Sequence, residues 1–270
     1  MEGKDPVAKV PRRYWDDMWL TDALPAPLDF SSGVRVKPVS RHIRDFVAAH
    51  VGHLGPAPTV VEVGCGGSVW LPYFRKVLGW RAAGVDYSPR GCALARRVLD
   101  RAGVDAPVHC CDLFAPLPEL IEAFDAVVSF GVAEHFVPTS RVIGALARFI
   151  RPGGIVVTMV PNLTGWLGAL QKRLNRSIYE LHVPLTPASL AQAHADAGLE
   201  VLEAGYVSTA DFYVAIADGK TDEAQLGPRL ALKGMRLLSK VLWLAENLSC
   251  PVPSTARLSP YVGCVARKPG

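Results

Sequence analysis

Apolar and polar positions alternate along this chain in two rhythms, and the switches between them mark out its elements. Residues 59–63, TVVEV, are almost continuously apolar and follow the punctuating GPAP at 55–58, which predicts a buried strand. Further apolar runs predict strands at 81–85, 107–111, 124–129, 154–160, 199–206 and 260–266. Stretches with apolar positions at helical spacing lie between them and predict helices over 69–78, 89–102, 139–150 and 187–197. RPGG at 151–154 reads as a helix end in a tight turn that opens the next strand. Strands separated by helices imply right-handed βαβ units and a parallel sheet, an α/β doubly wound architecture.

Three segments stand outside this rhythm. The stretch RRYWDDMWL reads as a short helix, followed by an extended Pro-rich LPAPLDF, and residues 38–53 read as an amphipathic helix ending near Gly52. Residues 161–185 are too long for a simple connection, and 208–257 form a second long insertion. The expected organisation is an N-terminal lid and helix over 1–54 and one domain over 55–270, with cap insertions at about 161–185 and 208–257. No internal repeat or low-complexity tract is visible.

Composition narrows the function classes. The 270 residues suffice for one α/β domain with insertions or two small ones, and 50% hydrophobic with 20% charged is ordinary globular chemistry. A net charge of +4 without single-sign clustering argues against nucleic acid as a partner. The six cysteines include no C-x-x-C pair and no zinc-ligand spacing, which suits free, mostly buried thiols in a reducing cytoplasm. The start of the chain shows no apolar signal region, and the longest apolar candidate, near 237–245, is broken by Lys240. A cytoplasmic protein without a membrane span or metal is therefore expected.

The most informative stretch is EVGCGGSVW at 62–70. Gly64 and Gly66 fit the first two glycines of a dinucleotide loop, but Val69 falls where the third would be, and no lysine lies between 59 and 75. A phosphate cradle is thus poorly supported. Glu62 precedes the loop, Asp86 ends the next predicted strand in GVDYS, 20 residues beyond Gly66, and Asp112 ends the third in HCCDLF. An acid at Asp86 is where a doubly wound sheet meets ribose hydroxyls. Three acids at neighbouring strand ends suit a ligand bearing positive charge.

Taken together, VVEVGCGG, GVDYS, CDLF, FDAVVSFGVAEHF and RPGGIVVTMVPN occur in the order and spacing of class I S-adenosylmethionine (SAM)-dependent methyltransferases, closely over 59–160. The chain resembles that superfamily, in its small-molecule branch. The resemblance implies a Rossmann-like, doubly wound seven-stranded sheet with an antiparallel last strand. It implies SAM as cofactor, with Glu62, Gly64 and Gly66 at its methionine end, and Asp86, with Tyr87 beside it, at the ribose. It further implies Asp112 and Leu113 at the adenine, and Phe130 and Gly131 beside the sulfonium. In similar enzymes an N-terminal helix covers the SAM site, which brings in Tyr14 and Trp19, with Trp15 on the same face as Trp19.

A methyl acceptor would meet SAM among 131–138, 161–185 and the N-terminal segment. Candidates for acid–base or positioning work are His135, Glu134, Tyr179 and His182, with Asn162 at the end of the fifth strand. In the second insertion Arg229, Lys233, Arg236 and Lys240 recur at steps of 4, 3 and 4 and form one basic stripe. That helix could cap the domain, pair with a second copy, lie on a membrane surface or form an anionic-substrate site. The leading reading is a SAM-dependent small-molecule methyltransferase of specialised metabolism. The alternative is a SAM-consuming enzyme that cyclises SAM to azetidine-2-carboxylate and methylthioadenosine.

Overall fold

A computed structural model of the chain describes residues 7–21, 23–28, 30, 37–215, 226–248, 250 and 252–270. Its elements, in chain order, are β1 (Val7–Ala8), α1 (Arg12–Met18), α2 (Pro38–Val51), β2 (Thr59–Val63), α3 (Trp70–Lys76), β3 (Arg81–Asp86), α4 (Pro89–Ala102), β4 (Val108–Cys110), β5 (Phe124–Phe130), β6 (Phe136–Val137), α5 (Thr139–Ala147), β7 (Ile150–Pro161), α6 (Trp166–Leu174), α7 (Arg176–Glu180), α8 (Pro187–Asp196), β8 (Glu200–Val207), α9 (Leu226–Asn247) and β9 (Tyr261–Arg267). Seven strands form one sheet in the order β4-β3-β2-β5-β7-β9-β8. The first five run parallel, and β9 lies antiparallel between β7 and β8, as expected for the last strand.

Local chemistry explains the helix ends. At α4 the Ser88 side chain accepts from the Gly91 amide, Pro89 occupies the first turn, and Gly103 closes the helix in the left-handed region at φ 63°. At α8 Thr186 and Ser189 cap each other reciprocally, with Pro187 in the first turn. Most boundaries fall within two residues of expectation, and the largest difference is at RPGG: α5 ends at Ala147, and RPGG is drawn into β7 as a bulge. The pairing Phe124 with Ile150 jumps there to Ala126 with Ile155, and Gly153 sits at φ 78°. The extra residues on one strand are what a bulge accommodates.

Alternation along the strands divides the core between the two sheet faces. Val61, Val63 and Val127 pack under α5 and α8, against Ile143, Leu146 and Leu190. Val60, Ala126 and Val128 face the other way, against Val47 of α2, Phe74 of α3 and Leu99 of α4. Helix α2 is therefore a layer of the sheet domain, although it precedes it in sequence. The two insertions share a smaller core of their own, where Leu167, Leu170 and Leu174 of α6 meet Phe212 and Leu232 of α9. Parts of the expected lid and of the second insertion, residues 1–6, 22, 29, 31–36, 216–225, 249 and 251, lie outside the described residues.

All six cysteines are free; Cys65, Cys92 and Cys264 are buried, Cys111 is half-buried, and Cys110 and Cys250 are exposed. The thiols are thus less uniformly buried than the composition suggested. No described helix is long and apolar enough to cross a membrane.

Candidate active site

The carboxyl ends of β2 and β3 build the floor. Gly64 turns the chain at φ 85°, its amide donates to Val85 O at 2.8 Å, and a Cβ there would lie 2.4 Å from Val132 Cγ2. Only glycine meets both demands. Two residues on, the Gly66 amide donates to Asp86 Oδ2 at 2.9 Å, while the Ser88 amide donates to Asp86 Oδ1 at 2.8 Å. Asp86 is 6% exposed, and burial raises its pKa against the opposing pull of those amides. Glu62 lies deeper, outside the cavity lining. Burial lifts its carboxyl to about 8, although the Ser68 hydroxyl works against this, and its Oε2 has no hydrogen-bond partner among the described residues.

Above this floor is a cavity of about 540 Å³. It brings together Gly64, Asp86, Tyr87, Asp112, Leu113, Phe130 and Gly131. Asp112 Oδ1 accepts from the Phe114 amide at 2.9 Å, which shapes the turn after β4. Helix α1 forms the roof with Arg12, Trp15 and Trp19. The Trp19 indole lies so close to the glycine loop that a Cβ on Gly66 would be 2.6 Å from Cε2, and one on Gly67 2.9 Å from Cζ3. Trp15 and Trp19 stack with centroids 6.4 Å apart. Tyr14 meets Trp15 edge-on at 5.3 Å and does not line the cavity.

The roof is fastened at both ends. Ser88 Oγ donates to Asp16 Oδ1 at 2.5 Å, and Arg90 Nη1 to Asp16 O at 3.2 Å, so α1 is pinned to the start of α4. On the other side β1 pairs antiparallel with β6, Val7 with Val137 and Ala8 with Phe136. The Lys9 amide then donates to His135 O at 2.8 Å, and Lys9 Nζ to His182 O at 2.7 Å.

His135 also lines the cavity, in a short 3₁₀ turn at Ala133–His135. Its Nδ1 lies 2.9 Å from Leu181 O, and His182 Nδ1 lies 2.7 Å from Ile178 O. A carbonyl can only accept, so each Nδ1 carries the proton and each Nε2 presents a lone pair. Burial first, then the neighbouring His182, pushes His135 down to about 4, and burial also lowers His182. Both rings are neutral near pH 7. The two ring centroids are 4.6 Å apart, and the Trp15 ring stands 5.0 Å from His135. Glu134 Oε1 lies 3.8 Å from His135 Nε2, and burial lifts this carboxyl to about 8. Ligand atoms of Glu134, His135 and His182 fall within 4.8 Å of one another, a grouping of metal-donor type, with Glu134 and His182 set behind the cavity lining.

Two other expected residues are placed elsewhere. The Tyr179 ring faces Lys172 Nζ at 5.5 Å, outside the lining. Asn162 is fully buried: Nδ2 donates to Ala256 O and Ser259 O, both at 2.9 Å, and Oδ1 accepts from the Thr164 amide and hydroxyl. Its amide is saturated by the loop before β9 and has no donor left for a substrate. The lining also contains Arg12 and Phe114, which the sequence did not single out, and Phe136 from the expected 131–138 stretch. The signal for the first was present, since Arg12, Trp15 and Trp19 are spaced by 3 and 4 and share a helix face.

Comparison with known proteins places the chain in a family and a fold. A family model described as a methyltransferase domain matches residues 36–204. Among curated relatives, the ubiquinone biosynthesis O-methyltransferase of Chromobacterium violaceum is 26% identical over 208 residues, 73% of this chain and 83% of that protein. The enzyme of the same name from Methylocella silvestris is also 26% identical, over 56% of this chain and 61% of its own length. The chain thus spans about three fifths of that second relative. The solved structure of the [4+2]-cyclase SpnF superposes with a TM-score of 0.61 at 20% identity, over 98% of this chain and 97% of that one, a likeness of fold.

Proposed function

Because this chain belongs to the SAM-dependent methyltransferase family matched over residues 36–204, we propose that it transfers the methyl group of SAM to a proton-bearing atom of a small, largely apolar molecule. The observation that carries this reading is one cavity lined by the buried Asp86, by His135 with its Nδ1 proton committed to Leu181 O, and by the two indoles of Trp15 and Trp19. The lining fits SAM group by group. Each Asp86 oxygen retains a lone pair for a ribose hydroxyl, and Asp112 with Leu113 matches the adenine. The rings of Trp15, Trp19 and Phe130 suit a sulfonium, and Arg12 supplies the cation for a carboxylate.

SAM supplies a methyl carbon already activated by its sulfonium. The chain's own residues then have to position the acceptor, exclude water and remove its proton. Phe114, Val132 and Phe136 give the cavity an apolar wall, which selects an apolar acceptor. His135 Nε2 takes the proton, a role that typically contributes about 10²–10⁴-fold. The imidazolium so formed faces Glu134 Oε1 at 3.8 Å, a carboxyl whose other oxygen has no partner among the described residues. His182 packs behind His135 at a 4.6 Å ring contact and supports its ring.

The test uses SAM with a labelled methyl group, the full chain and a small-molecule extract, followed by mass spectrometry. Labelled product together with S-adenosylhomocysteine supports methyl transfer. Methylthioadenosine formed from SAM alone overturns it in favour of cyclisation.

A further inference from the structure

Helix α9 is anchored on one side and, among the described residues, unpartnered on the other. Inward, Leu232 and Ser239 are buried, Trp243 Nε1 donates to Ala210 O at 2.7 Å, and Arg41 Nη2 donates to Asn247 Oδ1 at 2.8 Å. Outward, Leu226, Leu230, Leu237, Val241, Leu244 and Leu248 are each 56 to 69% exposed. At the helical turn of about 100° per residue these six fall in a strip roughly 60° wide. An aligned row of large aliphatics facing solvent is uncommon on a self-sufficient protein surface.

The charges beside the strip choose between occupants. Lys233 and Lys240 are exposed along one edge. The helix has a single carboxylate, Glu246, which is turned inward, where it accepts from Thr209 Oγ1 and lies 3.5 Å from His42 Nε2. The outer face is therefore apolar and cationic without an acid. The same strip on a second copy would offer these lysines no counter-charge. An anionic bilayer offers acyl chains to the leucines and phosphates to the lysines.

We propose that α9 is a membrane-surface anchor, lying in the plane of an anionic bilayer with its outward strip at the headgroup boundary. This goes beyond the methyl-transfer reading and does not depend on it.

Flotation of the full chain with vesicles tests the anchor. The chain is expected to float with phosphatidylglycerol–phosphatidylcholine vesicles, to be released by high salt, and to stay behind with phosphatidylcholine alone. The double substitution Leu237→Glu and Leu244→Glu abolishes flotation without shifting the melting temperature, because both side chains are already in solvent. Lys233→Gln and Lys240→Gln each weaken binding about fivefold. Failure to float with anionic vesicles, or full flotation of the leucine double variant, overturns the proposal. So does a vesicle-inert chain that sediments as a dimer and becomes monomeric with the leucine substitutions, which would assign the strip to a second copy.

Discussion

Asp86 has two structural roles at once: its oxygens organise the amides of Gly66 and Ser88, and the residue lines the cavity. Asp86→Ala is therefore expected to weaken SAM binding by roughly 10- to 100-fold, the range for hydrogen bonds to a charged group, as read by calorimetry. Asp86→Asn keeps one acceptor oxygen and should fall between. His135→Ala should lower turnover by about 10²-fold or more while leaving SAM affinity nearly unchanged. Because burial pushes His135 to about 4, below its ordinary 6.5, the protonation that disables it should set in only as pH falls toward 4. The kcat profile therefore has no acid limb from this residue near 6.5, and an inflection there that His135→Gln removes would contradict its assignment as the base. Asp86 was legible in the sequence because spacing along a βαβ unit places it. Asn162 was not, because its partner Ala256 is 94 residues away and belongs to an insertion without a repeating pattern.

Among the elements, α1 shows how a short helix acquires a function from its surroundings. Its seven residues have no buried member and could not hold a helix alone. Asp16, pinned by Ser88, and Trp19, set against Gly66 and Gly67, fix it over the cavity. Trp19→Ala is expected to weaken SAM binding by roughly 2- to 30-fold, matching the range of cation–π contacts, with little change in melting temperature. Gly66→Ala should act through the same ring, since the added methyl meets the indole at 2.6 Å. Calorimetry on the double variant would show less than the sum of the two losses, and full additivity would deny the contact. The alternating core elements were readable from periodicity. The bulge at RPGG was not, because Pro and Gly signal a turn and do not say whether the neighbouring strand pairs across it. The basic stripe on α9 was read from the sequence, but the outward row of leucines beside it was not singled out, since only the packing shows which side of the helix is covered.

For the whole molecule, the buried titratable groups pull in opposite directions. His135 and His194 fold with pKa values of about 4, and His182 is also lowered, all mainly by burial, so these residues cost stability as pH falls from 6.5, where the unfolded chain takes up their protons. Glu62 and Glu134 fold with values of about 8, above the ordinary 4.5, so their contribution is complete below 4.5 and is lost as pH rises through 8. The two sets oppose each other between 4.5 and 6.5. Above that only the carboxyls act, and the melting temperature of the ligand-free chain should decline from pH 6.5 to 8. Calorimetric scans of Glu62→Gln combined with Glu134→Gln should show a flatter line over that interval. An unchanged slope would mean that the two acids are not held neutral.

The ladder between β1 and β6 has a kinetic meaning as well. One stretch of chain, from Val7 to Trp19, ties the wall bearing His135 to the helix bearing Ser88 and crosses the cavity between them. A molecule as large as the family's cofactor is expected to exchange by loosening one of those ties, and its dissociation rate should then respond to substitutions along the tether even where equilibrium contacts with the ligand are untouched.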